Sequence, residues 1–257
     1  MKNPLLYLLT SGILLLTVSC GENEAPLPSC TGVQFEYEGS DGPDYWSTLC
    51  VDYTPCGGKV QSPINITGAL DDASLMGIPQ TYISTATHIV NKGHTIQFNF
   101  DAGSSILING EKFDLLQCHT HTRSEHELNG VHHPMEMHFV HKNLITGNLA
   151  VIGVFVEEGA ENPILKNFVD HLPVTKDATY EDPITFSALD FMPSDKSYFT
   201  YSGSLTTPPC SEIVTWFVME HHIEASAAQI HDFEALEHVN NRPVQALEGR
   251  MIKHFKM

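Results

Sequence analysis

Basic side chains are scarce. Lys and Arg together number 13 against 31 Asp and Glu, giving the 257-residue chain a formal charge of −18 with His neutral. No basic stretch relieves that balance, and phosphate neutralisation needs clustered Lys and Arg, so a nucleic-acid partner is excluded. The same acidic surface repels anionic polymers and lipid headgroups, while it suits small neutral substrates and cations. An apolar run of membrane-spanning length is also missing: the stretch from Leu5 to Val18 is about 14 residues and is broken by Thr10, Ser11, Gly12 and Thr17. There is no internal repeat and, after residue 31, no stretch that reads as a linker. Apolar residues make up 42% of the chain, enough for a sizeable core, so disorder is a poor description of the whole.

The short apolar run has the form of a signal peptide h-region, with Lys2 before it and the small residue Ser19 after it. The ending Thr17-Val18-Ser19-Cys20 resembles a bacterial lipoprotein signal, in which the Cys becomes the acylated first residue, although Thr17 stands where an aliphatic residue is usual; ordinary cleavage close by is the alternative. Residues 1–20 therefore read as a signal peptide of lipoprotein type, residues 21–31 as a flexible tether rich in Pro, Gly and Glu, and residues 32–257 as one domain. The expected address is outside the cytoplasm, periplasmic or in the cell envelope, with a lipid anchor to the outer membrane through Cys20. Setting Cys20 aside leaves Cys30, Cys50, Cys56, Cys118 and Cys210, an odd number. Two disulfides and one free thiol fit an oxidising compartment, with the pairing open. Cys118, among alternating strand residues, is the candidate free thiol.

The body reads mostly as strands. His94–Phe100 and Met135–His141 alternate in polarity, Ile106–Asn109 is short and apolar, and Leu149–Val156 and Ile213–Met219 are nearly continuous apolar runs. Helices are expected over residues 162–171, with Pro163 in the first turn, and over residues 226–237, with Ser226 as N-cap. The fold class is mainly β (α+β): a single domain with a large twisted, mostly antiparallel central sheet and a few short surface helices.

His is the unusual count, at 15, exceeding Lys and Arg together. Two of these lie in Gln117-Cys118-His119-Thr120-His121. On a strand Gln117, His119 and His121 project to one face and Cys118 and Thr120 to the other, with the imidazoles about 7 Å apart, close enough to converge on one ion. In Glu136-Met137-His138-Phe139-Val140 the residues Glu136, His138 and Val140 share a face in the same way. If these strands pair as a hairpin through the loop from Thr122 to Pro134, His138 joins the first two. Three neutral His without a fourth protein ligand describe an open, catalytic zinc site. Zinc-bound His usually gives its other N–H to an amide, carboxylate or carbonyl, and Gln117 and Glu136 each stand two residues before a His on its own face.

These motifs resemble the α-class carbonic anhydrases, in particular the exported bacterial ones. The resemblance runs from Phe35 to Arg250 and takes in Tyr37, Gly42-Pro43 and Trp46; Gln61-Ser62-Pro63-Ile64-Asn65-Ile66; and Asn91-Lys92-Gly93-His94. It continues through the two His strands, Ser124-Glu125-His126, Gly203-Ser204-Leu205-Thr206-Thr207-Pro208-Pro209 and Asn241-Arg242-Pro243. It implies a zinc lyase, carbonate dehydratase, that reversibly hydrates carbon dioxide to bicarbonate and a proton by attack of zinc-bound hydroxide. Zinc would be held by His119, His121 and His138, with Gln117, the Asn240 carbonyl and Glu136 behind them in that order. Thr206, backed by Glu125, would aim the nucleophile; Val140, Val151, Leu205 and Trp216 would hold carbon dioxide, with Thr207 on the bicarbonate side. Tyr37 would order a water chain and His94 would carry protons to solvent. Cys56 and Cys210 stand where exported relatives have a disulfide, leaving Cys30 and Cys50 as a second pair.

The chain also departs from the pattern that resemblance implies. Cys118 and Thr120 stand where aromatic side chains usually flank the first two ligands, which is expected to loosen the packing behind them. Phe35 and Asn241 each replace a common Trp, and Arg123 a common Pro or Gly. Lys92 is expected to lower the pKa of His94 by like-charge repulsion. His126, His132-His133 and His221-His222 read as structural or solvated. Two other functions are compatible with such a fold: a non-catalytic zinc-bearing binding module, whose relatives lack one or more of the three His, and a zinc esterase.

Overall fold

The computed structural model describes residues 26–257; the signal-peptide segment and Cys20 lie outside the described residues. Its strands are β1 (Asn65–Ile66), β2 (Leu70–Asp71), β3 (Gln80–Thr81), β4 (Thr85–Asn91), β5 (Ile96–Asn99), β6 (Ser105–Ile108), β7 (Glu111–Thr122) and β8 (Glu127–Leu128). They continue as β9 (Val131–His132), β10 (Met135–Lys142), β11 (Leu149–Glu158), β12 (Thr179–Phe186), β13 (Tyr198–Gly203), β14 (Val214–Met219), β15 (Ile223–Ala225) and β16 (Lys253–Phe255). The helices are α1 (Trp46–Leu49), α2 (Lys166–Val169) and α3 (Ala227–Glu237). None among the described residues is long and apolar enough to cross a membrane.

One sheet of 13 strands runs β12-β4-β5-β7-β10-β11-β14-β13-β16-β2, with β3, β6 and β15 attached beside this path. Its pairs are mostly antiparallel; β11 runs parallel to β14 and β15, and β16 to β2. The central strands β10 and β11 are buried on both faces, which is why they read as near-continuous apolar runs. Alternation then divides their side chains between two cores. Met137, Phe139, Ile152 and Val154 face one side, where they meet Phe98, Phe168 and Phe233 under α2 and α3. Val140, Val151 and Phe155 face the other, with Trp216, Tyr201 and Ile64.

Helix α3 starts as its sequence predicts. Ser226 Oγ accepts the Gln229 N–H at 3.3 Å while Gln229 Oε1 accepts the Ser226 N–H at 3.0 Å, a reciprocal cap. The helix expected over residues 162–171 is shorter, only Lys166–Val169. Asn162 Oδ1 takes the N–H groups of Ile164 and Leu165, holding the first residues in a turn before the helix begins.

Two disulfides join Cys30 to Cys50 and Cys56 to Cys210, and Cys118 is a buried free thiol. The Val51 N–H donates to Pro28 O at 3.0 Å, so the stretch read as a tether meets the body within its own length.

Candidate metal centre and active site

β7 and β10 pair antiparallel with His119 opposite His138 and His121 opposite Glu136. Alternation and this register bring the three imidazoles together, with ring centroids 5.1 Å (His119–His121), 5.2 Å (His119–His138) and 4.7 Å (His121–His138) apart. One nitrogen of each ring already has a partner. His119 Nδ1 meets Gln117 Oε1 at 2.9 Å, His121 Nδ1 meets the Asn240 carbonyl at 2.7 Å, and His138 Nε2 meets Glu136 Oε1 at 2.8 Å. The nitrogens left over are His119 Nε2, His121 Nε2 and His138 Nδ1, and one ligand atom from each of these residues lies within 4.8 Å of the others.

The residues present fit a zinc ion. His121 Nε2 is buried and has no hydrogen-bond partner, a costly state for a polar atom unless something binds it. Burial lowers the pKa of all three His, that of His121 to about 4, which keeps the rings in the neutral form a metal ligand needs. Three nitrogen donors on rigid strands match an open catalytic site.

Glu136 is wholly buried. Burial alone would raise its pKa, yet the neighbouring His126 and His138 hold it well below the usual carboxylate range. Oε1 accepts from His138 and from His126 Nδ1 at 2.7 Å; Oε2 accepts the backbone N–H groups of Glu125 and His126, both at 2.9 Å. His126 Nε2 in turn meets the Tyr201 hydroxyl at 2.6 Å. His126, Glu136 and His138 also lie within ligand distance of one another, but these hydrogen bonds occupy Glu136 and both nitrogens of His126. Opposite His138 stands Gly153, where a Cβ would sit 2.9 Å from Glu136 Oε1; the carboxylate passes through the space a side chain would fill.

Beside the His row lies an apolar one. Val140 pairs with Val151, and Val151 with Trp216, so three strands place these residues in line on the face that carries His138. Leu205 packs against them, and the Trp216 ring stands 4.8 Å from that of His138. The Leu205–Thr207 segment is fixed at both ends: Trp216 Nε1 donates to Ser204 O at 3.0 Å, and Cys210 is bridged to Cys56. Thr206 is buried beside Glu125. Burial pushes Glu125 up to about 7 against the opposing pull of His138, Thr206 and the Arg242 N–H, which donates to Oε1 at 2.9 Å.

His94 is turned inward. Its ring lies 5.1 Å from Phe35 and 6.3 Å from Tyr37. Its pKa is lowered to about 4 by burial first, then by His121, Lys176 and Lys92; the effect expected of Lys92 is the smallest of the four. Tyr37 Oη is buried without a protein partner.

Behind the ligands lies a group the sequence does not single out. Glu237, the last residue of α3, is 2% exposed and bonded to Thr120 and Thr122, on the back of the ligand strand. The available signal is that pair of Thr residues on a face expected to be apolar.

The family described as eukaryotic-type carbonic anhydrase matches residues 41–256. A carbonic anhydrase from Pectobacterium atrosepticum is 42% identical over 226 residues, covering 86% of this chain and 91% of that protein. A hyperthermostable carbonic anhydrase from a hydrothermal vent chimney superposes with a TM-score of 0.83 at 43% identity, covering 87% of this chain and all of the other. The α-carbonic anhydrase of Thermovibrio ammonificans, solved with the inhibitor sulfanilamide, also gives 0.83, at 39% identity and covering 86% of this chain and 99% of the other. A match over nearly the whole folded body, with carbon dioxide and bicarbonate as the small-molecule substrates it implies, makes this chain a carbonate dehydratase. It belongs to the eukaryotic-type, or α-class, carbonic anhydrase family.

Proposed function

We propose that the chain hydrates carbon dioxide to bicarbonate and a proton at a zinc ion held by His119, His121 and His138. The observation that carries this reading is the convergence of three ring nitrogens, from the buried His121 and His138 and the half-buried His119, whose opposite ring atoms are all pinned. Zinc bound there supplies a Lewis acid that brings the pKa of a water to about 7, the value characteristic of carbonic anhydrases as a family.

The chain's own residues do the rest. Carbon dioxide is linear and uncharged and offers little to hydrogen-bond, so the row Val140, Val151 and Trp216, with Leu205, holds it by apolar contact. The Thr206 hydroxyl gives its hydrogen to the Glu125 carboxylate. Its oxygen is then left to accept from the attacking oxygen and aim a lone pair at the carbon. Thr207 lines the side on which bicarbonate forms. The proton released leaves along a path bordered by Tyr37 and carried by His94. In the inward position His94 is too weak a base at neutral pH, so it takes the proton after turning outward, away from Phe35 and toward solvent.

The division into residues 1–20 as signal, 21–31 as a tether whose last residues are held to the body at Pro28 and Cys30, and 32–257 as catalytic domain completes the proposal, with export and attachment through a lipidated Cys20. The two disulfides fit an oxidising compartment. Labelled palmitate should enter the protein and should fail to enter Cys20→Ala; labelling of both or of neither would refute lipidation.

The test of the site is stopped-flow carbon dioxide hydration with zinc quantified in the same sample. Each of His119→Ala, His121→Ala and His138→Ala should lose zinc and hydration while remaining folded. Full zinc and full rate in any one of them would contradict the ligand assignment.

A further inference from the structure

The ligand strand loses its neighbour where it is most needed. β5 pairs with β7 only as far as Gln97 opposite His119, so residues 120–122, which carry His121, have no strand on that edge. Side chains take over the hydrogen bonds of the missing strand. The Thr120 N–H donates to Thr95 Oγ1 at 3.3 Å, and the Thr120 carbonyl accepts from Thr95 Oγ1 at 2.7 Å and from Asn240 Nδ2 at 3.0 Å. The Thr122 N–H donates to Asn240 Oδ1 at 3.0 Å.

Glu237 ties this substitute edge together. Its Oε1 accepts the Ile96 N–H at 2.9 Å and the Thr120 hydroxyl, and lies 3.5 Å from Thr95 Oγ1; its Oε2 accepts the Thr122 hydroxyl at 3.2 Å. Three residues on, Asn240 turns its carbonyl to His121 Nδ1. One buried carboxyl thus connects β5, the back of the ligand strand and the loop that orients a ligand ring. The Thr hydroxyls can donate or accept, so the network persists whether or not the carboxyl carries a proton.

We propose that Glu237 is a positioning residue for the metal centre, acting through Thr120, Thr122 and Asn240 to fix His119 and His121 at the geometry that retains zinc. The inference rests on the ligand assignment above. It gives a physical reason for Thr120 where relatives of this kind place aromatic packing: with Thr122 beside it, the strand is held from behind by hydrogen bonds.

The experiment compares Glu237→Met, which keeps the length and removes the acceptors, with Glu237→Gln, which keeps a hydrogen-bonding amide. Zinc release from the full domain to a chelator should speed up about tenfold in Glu237→Met, the low end of the effect of losing support behind a ligand, and Glu237→Gln should restore most of the wild-type rate. The cobalt-substituted protein should show a changed visible spectrum in the Met variant only. In metal-free protein the amides of Thr120 and Thr122 should exchange faster in Glu237→Met. Should that variant not fold, Thr120→Val and Thr122→Val each remove one hydroxyl at constant shape and should show the same three changes in smaller measure. Wild-type zinc release, cobalt spectrum and amide exchange in Glu237→Met, or in both Val variants, would overturn the role. Zinc retained by a His119→Ala/His121→Ala double variant would overturn the ligand assignment instead.

Discussion

The two faces of one strand, β7, are built on different principles. The front carries Gln117, His119 and His121: Gln117 holds the far side of the His119 ring, and the two imidazoles turn one nitrogen each inward to meet the third from His138 on β10. The back carries Cys118, Thr120 and Thr122: Cys118 joins the apolar core under the helices, and the Thr pair joins a closed set of hydrogen bonds around Glu237. The front is therefore organised around something that binds, and the back around nothing but itself. Buried polar groups serve both purposes, and the distinguishing mark is whether an atom is left without a partner. His121 Nε2 on the front is so left, whereas both Glu237 oxygens on the back are satisfied.

Substitutions should separate the faces by what they change. The largest effect belongs to the front: removing any of His119, His121 or His138 should cost several orders of magnitude in hydration rate, since without the metal no water ionises near neutral pH. Next is Thr206→Ala, which leaves zinc in place and misdirects the attack; kcat/KM should fall about a hundredfold, with no rescue by buffer. His94→Ala should leave kcat/KM nearly unchanged and lower kcat at least about tenfold in weak buffer, less than the ~10²-fold low end for a positioned acid–base group because water still relays the proton, with recovery on adding imidazole. An equal kcat for wild type and His94→Ala at low buffer would return His94 to an ordinary side chain packed on Phe35.

The back face should show itself in stability. Burial raises the Glu237 pKa from 4.5 to about 8, outweighing its hydrogen bonds. The folded chain then binds more proton than the unfolded one between those values, so stability falls as pH rises through that window. Wild type should accordingly lose stability relative to Glu237→Gln between pH 5 and pH 8, with the gap constant below pH 4. The Cys118 thiol and the Tyr37 hydroxyl, the titratable groups that feel the Glu237 charge, are both pushed upward by burial and stay neutral throughout. Parallel unfolding curves for the two proteins across this range would show that Glu237 does not titrate there. Smallest of all, Cys118→Ala should cost about 1 kcal/mol and leave zinc release unchanged, because the thiol lies on the back face outside the hydrogen-bonded set.

The front face was legible because alternation and ligand chemistry are both local: H-x-H and E-x-H each declare a face, and a hairpin is the simplest way to join them. The sheet, with its central apolar runs, and the capped helix α3 were legible for the same reason. Resemblance added the segments that meet the site from far along the chain, such as Thr206 beside Glu125 and Asn240 at His121, which no local pattern could bring there. Glu237 was not legible by either route. A Glu at the end of a helix ordinarily faces water, and its burial depends on β5 stopping short of His121, a matter of register between distant segments. Of the two positions behind which looser packing is expected, Thr120 is hydrogen-bonded through Glu237 and Cys118 packs in the apolar core. The inward His94 likewise depends on Phe35, from a distant part of the chain.

The most direct measurement is a zinc titration of the metal-free protein with carbon dioxide hydration followed at each addition. The account predicts a rate that rises in proportion to zinc and saturates at one equivalent, with no rise in the His119→Ala/His121→Ala double variant. Full activity without zinc, saturation at a different stoichiometry, or an equal rise in the double variant would contradict it.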